Sequence, residues 1–318
     1  MKRRQFLTSL SAIPVAMGAL AARADQADWP RQTDHDRGVL TLKAAPGRIV
    51  STSPSLTGLL LAIGAPLEAS AATTVGRLTD ESGFFRQWAE IAHARGVRTL
   101  YPNLDFDMEA LLIAGPDLVV GSSTGADSLL PYLAEIEAQG LPTLVLDYSK
   151  TSWQSLARIL GRATGHEAGA DTAIAEFDRR AAQAAARLGP SGRAVSIVGY
   201  DIAGTYSIGR SESPQADVLR ALGLTVTPLP EALRGAVTRV SNMDFISRET
   251  LSAAIAEDTV ILLGADDSDV AAFMADPLLA NLPAVQKGQV YPMGLSSFRV
   301  DYYSALEMIA TLETALTA

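Results

Sequence analysis

The chain has 318 residues, 26 Lys and Arg against 35 Asp and Glu, a formal charge of −9 and no cysteine. That length accommodates one large domain or two small ones, and the acidic balance argues against nucleic acid as a partner. Lack of cysteine makes an oxidising compartment harmless and excludes a thiolate-bound metal or a thioether lipid anchor.

Lys2, Arg3 and Arg4 open the chain, an apolar run over 10–20 follows, and Ala22-Arg23-Ala24 supplies an A-x-A cleavage signal, so residues 1–24 read as an export signal. The run is too short to span a bilayer as a helix. Arg3-Arg4-Gln5-Phe6-Leu7 matches the twin-arginine pattern; a general secretory signal that happens to carry two arginines is the plainer alternative. Cleavage removes four of the 26 basic residues and no acid, leaving a mature charge of about −13. A periplasmic, soluble protein without a membrane anchor is expected.

The segment up to Leu42 suggests an entry hairpin, and Ile49-Val50-Ser51 a strand that ends in a polar turn before a short apolar helix stopped by Gly64 and Pro66. Strand patterns recur at 67–74, 117–120 and 143–147, with helical patterns at 83–94, 107–114 and 128–138 between them. A helix over 152–164 leads into a longer one over 166–188. There Ala170, Ile174, Phe177, Ala181, Ala184 and Leu188 recur in steps of four and three, acids lie early and arginines late. At 1.5 Å per residue it spans roughly 33 Å, the width of a small domain. Past Pro190 the alternation restarts with strands at 194–198, 205–208, 258–263 and 289–292 and helices at 214–222 and 303–316, while Arg239 falls in a long polar loop before Asp244. Strands alternating with helices imply mostly parallel sheets covered on both faces. The expected fold is α/β, two Rossmann-like lobes bridged by a single long helix with a ligand cleft between them. The expected divisions are an N-terminal lobe over 25–165, a linker helix over 166–189 and a C-terminal lobe over 190–318.

RIVSTSPSLTGLLLAIGAP, GFFRQWAEIA, SWQSLARILGRATGHE, DPLLANLPAVQKGQVY and FRVDYYSA resemble the periplasmic binding proteins of iron-siderophore ABC importers, from about Asp28 to the C-terminus. The resemblance implies capture of a ferric catecholate siderophore of the enterobactin type and its delivery to an inner-membrane ABC permease. It implies no catalysis, no resident cofactor and iron bound only within the siderophore; a monomer is expected. A hydroxamate, haem or corrinoid complex is the alternative cargo.

A ferric tris-catecholate carries a charge of −3 and exposes aromatic edges, which suits guanidinium groups that donate forked hydrogen bonds and stack on rings. Arginines on loops after strands are therefore the candidates: Arg77 and Arg299 first, then Arg210 and Arg239. Tyr101 and Tyr206 are candidate wall aromatics, whereas Trp88, in a helical pattern, suits core packing. Gly121-Ser122-Ser123-Thr124-Gly125 matches the G-x-S-x-G nucleophile elbow. A serine hydrolase acting through Ser123 needs a histidine base, and only His35, His93 and His166 exist; a cleft-lining Gly/Ser loop with Ser123 as a ligand contact fits better. No two histidines share a metal-ligand spacing, so no protein-held metal is expected. For permease docking, which in the resembled family uses one acid on each lobe, Asp217 matches the C-terminal position. The N-terminal position has Gly58 where a Glu is usual, with Glu68 or Asp80 as substitutes.

Replacing Arg3 and Arg4 together by lysine should leave unprocessed precursor in the cytoplasm, read by fractionation and immunoblot. Normal periplasmic accumulation of that variant would assign the segment to the general secretory route.

Overall fold

Ile49, Val50, Leu118, Val119, Val120 and Leu144 are wholly buried, as strands covered on both faces must be. In the computed structural model, which describes residues 29–189, 192–202, 204–240 and 242–317, they form the centre of a five-stranded parallel sheet. The export signal expected at 1–24 lies outside the described residues.

A hairpin of β1 (Arg31–His35) and β2 (Gly38–Leu42) precedes this sheet and packs against its last strand. The sheet takes β3 (Ile49–Ser51), β4 (Leu67–Ser70), β5 (Arg98–Thr99), β6 (Leu118–Ser122) and β7 (Thr143–Leu146) in the order β5-β4-β3-β6-β7. The intervening helices are α1 (Pro54–Ala62), α2 (Arg86–Ala94), α3 (Met108–Ala114) and α4 (Leu133–Ala138). Then come α5 (Trp153–Thr164), ended at the left-handed Gly165, and α6 (Glu167–Leu188).

The second sheet is mixed rather than mostly parallel. Its strands β8 (Ala194–Ile202), β9 (Thr205–Gly209), β10 (Thr225–Val226), β11 (Thr238–Val240), β12 (Met243–Ile246), β13 (Val260–Leu262) and β14 (Val290–Pro292) run β11-β12-β9-β8-β13-β14, with β10 beside β8. β8, β9, β12 and β11 are joined antiparallel, so the polar loop expected around Arg239 is instead a hairpin in which Arg239 faces Asp244 in register. Its helices are α7 (Pro214–Ala221), α8 (Leu251–Ala254), α9 (Asp267–Ala275), α10 (Pro283–Gln286) and α11 (Tyr302–Thr317).

The stripe on α6 buries Ala170, Ala173, Ile174, Phe177, Ala181 and Ala184 against α5, α7 and α11. Trp153 of α5 meets Phe177 edge-on at 5.3 Å between ring centroids. Small residues let the helices approach closely, and the large ring fills the gap. The sequence marked α6 as the bridge, but α11 reaches both lobes as well, packing on α1 and α2 on one side and on α7 and β14 on the other. One apolar cluster therefore runs from Leu56 and Trp88 through Phe177 and Met308 to Ile197 and Ile261.

Asp301, 2% exposed, fastens the start of α11 to the N-terminal lobe. One carboxylate oxygen accepts from the Ser304 amide at 2.8 Å, capping the helix, and the other lies 3.4 Å from the Gln87 side-chain amide of α2. A Cβ at Gly58 would lie 2.4 Å from this carboxylate, so α1 approaches α11 only because residue 58 has no side chain. Gly58 is buried beneath α11 and offers no surface on which to dock a partner.

Burial pushes the Asp301 carboxyl up to about 6 from its ordinary 3.8, with Glu307 adding to the rise. An acid whose folded pKa is raised contributes most stability below its unfolded pKa. That contribution should therefore fall as pH rises from about 4 to about 6, by up to roughly 3 kcal/mol at 1.36 kcal/mol per pKa unit. Asp301→Asn, which keeps the cap acceptor, should flatten this slope in denaturant titrations at pH 4, 5, 6 and 7. A slope equal to that of the wild type would show that Asp301 does not titrate in this range.

Candidate ligand cleft

In an α/β sheet, loops at the carboxyl ends of parallel strands converge, and ligands bind in the crevice they leave. Here two such edges face one another. Three adjoining cavities of about 260, 190 and 380 Å³ fill the crevice, a size suited to a small-molecule complex. They connect through shared walls: Ser55, Phe298 and Arg299 between the first and third, Arg77 and Leu78 between the second and third.

Arg299 stands where the lobes meet, after the turn that follows β14. Its guanidinium lies 5.1 Å from the Tyr148 ring centroid of the N-terminal lobe and 4.4 Å from that of its neighbour Phe298. Among the described residues it forms no ion pair, so its donors are not committed to a carboxylate.

Tyr148 is positioned from beneath. Its hydroxyl donates to Asp127 at 2.7 Å, and the same carboxylate accepts from the Ser53 hydroxyl at the start of α1. Burial pushes the Tyr148 hydroxyl up, so it remains a donor. Gly125 makes the arrangement possible: its φ is +78°, and a Cβ there would lie 1.9 Å from the Tyr148 oxygen. The second glycine of the G-x-S-x-G run thus makes room for Tyr148 instead of shaping a nucleophile elbow. Ser123 itself donates to Asp36 at 2.5 Å, not to a histidine, while Nδ1 of His35 accepts from the Val145 amide at 3.2 Å. Its neighbours Thr124 and Gly125 line the cleft.

Arg77, on the loop after β4, is engaged differently. Its guanidinium forks onto Asp269 at 3.1 and 2.7 Å and touches Asp266 at 2.6 Å, both at the start of α9 in the opposite lobe. These acids form the capping box of α9: Asp266 accepts from the Ser268 amide at 2.9 Å and donates its own amide to Asp269 at 2.8 Å. Ser268 and Arg77 together hold the Asp266 carboxyl well below the usual carboxylate range. The guanidinium is 48% exposed, so the bridge sits at the rim of the cleft.

The other candidates are dispersed. Arg210 pairs with Glu212 on the loop after β9, and Arg239 lies on β11. Tyr101 is 5% exposed and packs edge-on to Phe106 in the core of the N-terminal lobe, a packing role and not a wall of the cleft. Tyr206 on β9 stacks edge-on to Tyr200, and Tyr200 is the one that lines the cleft. Trp88 is fully buried. Asp217 sits half-buried on α7, paired with Arg220 at 2.5 Å; Glu68 pairs with Arg98, and Asp80 with His93. Sequence reasoning passed over Tyr148, Asp127, Phe298, Asp266 and Asp269. Tyr148 lies two residues past the end of β7, within reach of the same loop-after-strand rule that selects the arginines.

The fold agrees with comparisons to known proteins. The periplasmic binding protein family model matches residues 49–294. The ferric enterobactin-binding periplasmic protein FepB of Escherichia coli O6:H1 is 40% identical over 296 residues, covering 92% of each chain. The solved structure of holo-ViuP superposes with a TM-score of 0.81 at 35% identity, over 91% of this chain and 96% of that one. The FhuD protein from S. pseudintermedius shares the fold, with a TM-score of 0.68 at 21% identity over 90% of this chain and 98% of its own. With a match over most of its length and a relative this similar from end to end, the chain belongs to the periplasmic binding protein family.

Proposed function

We propose that this protein captures a ferric catecholate siderophore of the enterobactin type in the periplasm and hands it to an inner-membrane ABC permease, without catalysing a reaction. The observation that carries this reading is Arg299: a guanidinium with no carboxylate partner among the described residues, flanked by the rings of Tyr148 and Phe298 at the meeting of the lobes. A trianionic complex with aromatic edges meets both charge and ring faces there. The 40% identity to a protein named for ferric enterobactin binding supports the same cargo. Iron enters already chelated and needs no protein ligand. The two lobes, 25–165 and 190–318, hold the cargo between them with only small hinge motion about the helix at 166–189, and the monomer presents Asp217 on α7 to an arginine of the permease.

Binding is readable as quenching of Trp29, Trp88 and Trp153 fluorescence across a panel of ferric siderophores. Arg299→Ala removes a charge-assisted hydrogen bond worth about 1.5–3 kcal/mol, so a ferric catecholate should bind roughly 10- to 150-fold more weakly. A neutral ferric hydroxamate should lose far less, because no net charge faces the guanidinium. An unchanged ratio of the two affinities would remove Arg299 from the site. Wild-type preference for a hydroxamate, haem or corrinoid would replace the catecholate as cargo.

A further inference from the structure

The carboxylates of Asp266 and Asp269 line or border the same crevice as Arg299, and both hold Arg77. A cleft built to take an anion gains nothing from two acids at its rim unless they have a task there. Their placement is specific: the fork from Arg77 to Asp269 uses both terminal guanidinium nitrogens, and the partners lie on opposite lobes, 192 residues apart in sequence. Capping of α9 does not require two charges, since asparagine caps as well as aspartate.

Resting on the cargo proposed above, we infer that Asp266 and Asp269 determine the charge selectivity of the cleft by competing with the ligand for Arg77. Arg77 has two alternative sets of acceptor oxygens, the carboxylates of α9 and the oxygens of an anionic iron complex. A ligand of high negative charge pulls Arg77 across; a neutral one leaves it where it is. The exchange sets a threshold, so weakly charged anions do not displace the bridge. It also unties one lobe from the other at the rim when cargo enters. Arg299, which has no such competitor among the described residues, attracts any anion. The two arginines thus divide the work, Arg299 as anchor and Arg77 as discriminator.

The test is Asp266→Asn with Asp269→Asn in the full-length protein, titrated with a ferric tris-catecholate, a singly negative ferric mixed catecholate–hydroxamate complex and a neutral ferric hydroxamate. Half-exposed bridges of this kind are worth a factor of several each, so the double variant should bind the catecholate roughly 3- to 30-fold more tightly. The singly negative complex should gain at least as much, narrowing selectivity among anions, and the neutral complex should not change. The gain should shrink as salt is raised. Asp267→Asn is the control: it removes a charge from the same turn of α9, and Asp267 makes no ion pair with Arg77. An equal gain from Asp267→Asn would reduce the effect to general repulsion and overturn the inference, as would no gain in the double variant. A wild type that binds only the neutral complex would refute the cargo proposed above. The inference would then stand only if the double variant acquired catecholate binding.

Discussion

Everything in the cleft depends on the packing of α6 against α5 and α11. The interhelical contact is built from alanines around Phe177, with Trp153 set edge-on against that ring, and it carries the apolar core without a break from one lobe into the other. Two lobes joined only by a strand would swing freely; these share an interior, and interiors packed to crystal-like density resist shear. The Asp301 cap adds a polar fastening at the start of α11, where Gly58 lets α1 come within reach. Cleft width is thereby set by the helical layer behind the cleft.

With the back fixed, the opening is governed by side chains on loops at the strand ends. Asp127 illustrates how these are held. Its carboxylate receives hydroxyls from Ser53 and Tyr148, so two separate loops of the N-terminal lobe converge on one acceptor and the Tyr148 ring is fixed where Arg299 crosses from the other lobe. A ring held from below by a hydrogen bond and facing a cation above is a pre-organised surface, and pre-organisation lowers the entropy lost on binding. Gly125 is the backbone condition for that surface, which is why a glycine at this point of the β6 loop carries structural information that its motif does not.

The elements legible in the sequence were those whose own pattern decides them. The α6 stripe repeats every three to four residues, and the strands at Leu118 and Thr143 are short runs buried on both faces. The elements that were missed owe their form to neighbours. β11 and β12 are three and four residues long and exist because β9 offers them an edge. α9 buries only Phe273, so it has no apolar stripe, and its start carries Asp at the third helical position where a capping box more commonly shows Glu or Gln. Missing α9 meant missing the acids that hold Arg77. Charge and loop position marked Arg77 and Arg299 equally, yet a local sequence cannot show that one faces two carboxylates from a helix 192 residues away while the other faces two rings.

That difference bears on how a protein with a continuous core can be selective. Large closure would tear the α6–α11 contact, at a cost of about 1.5–3 kcal/mol for each large core side chain exposed. Small rearrangements at the rim are far cheaper, because a half-exposed guanidinium trades one set of oxygens for another with little net change in burial. A stiff spine thus shifts discrimination away from domain motion and onto ion-pair exchange. The exchange works only if the competing acids are rigidly placed. Rooting them in the capping box of α9 achieves this, since each carboxylate that meets Arg77 also bonds the backbone of its own helix.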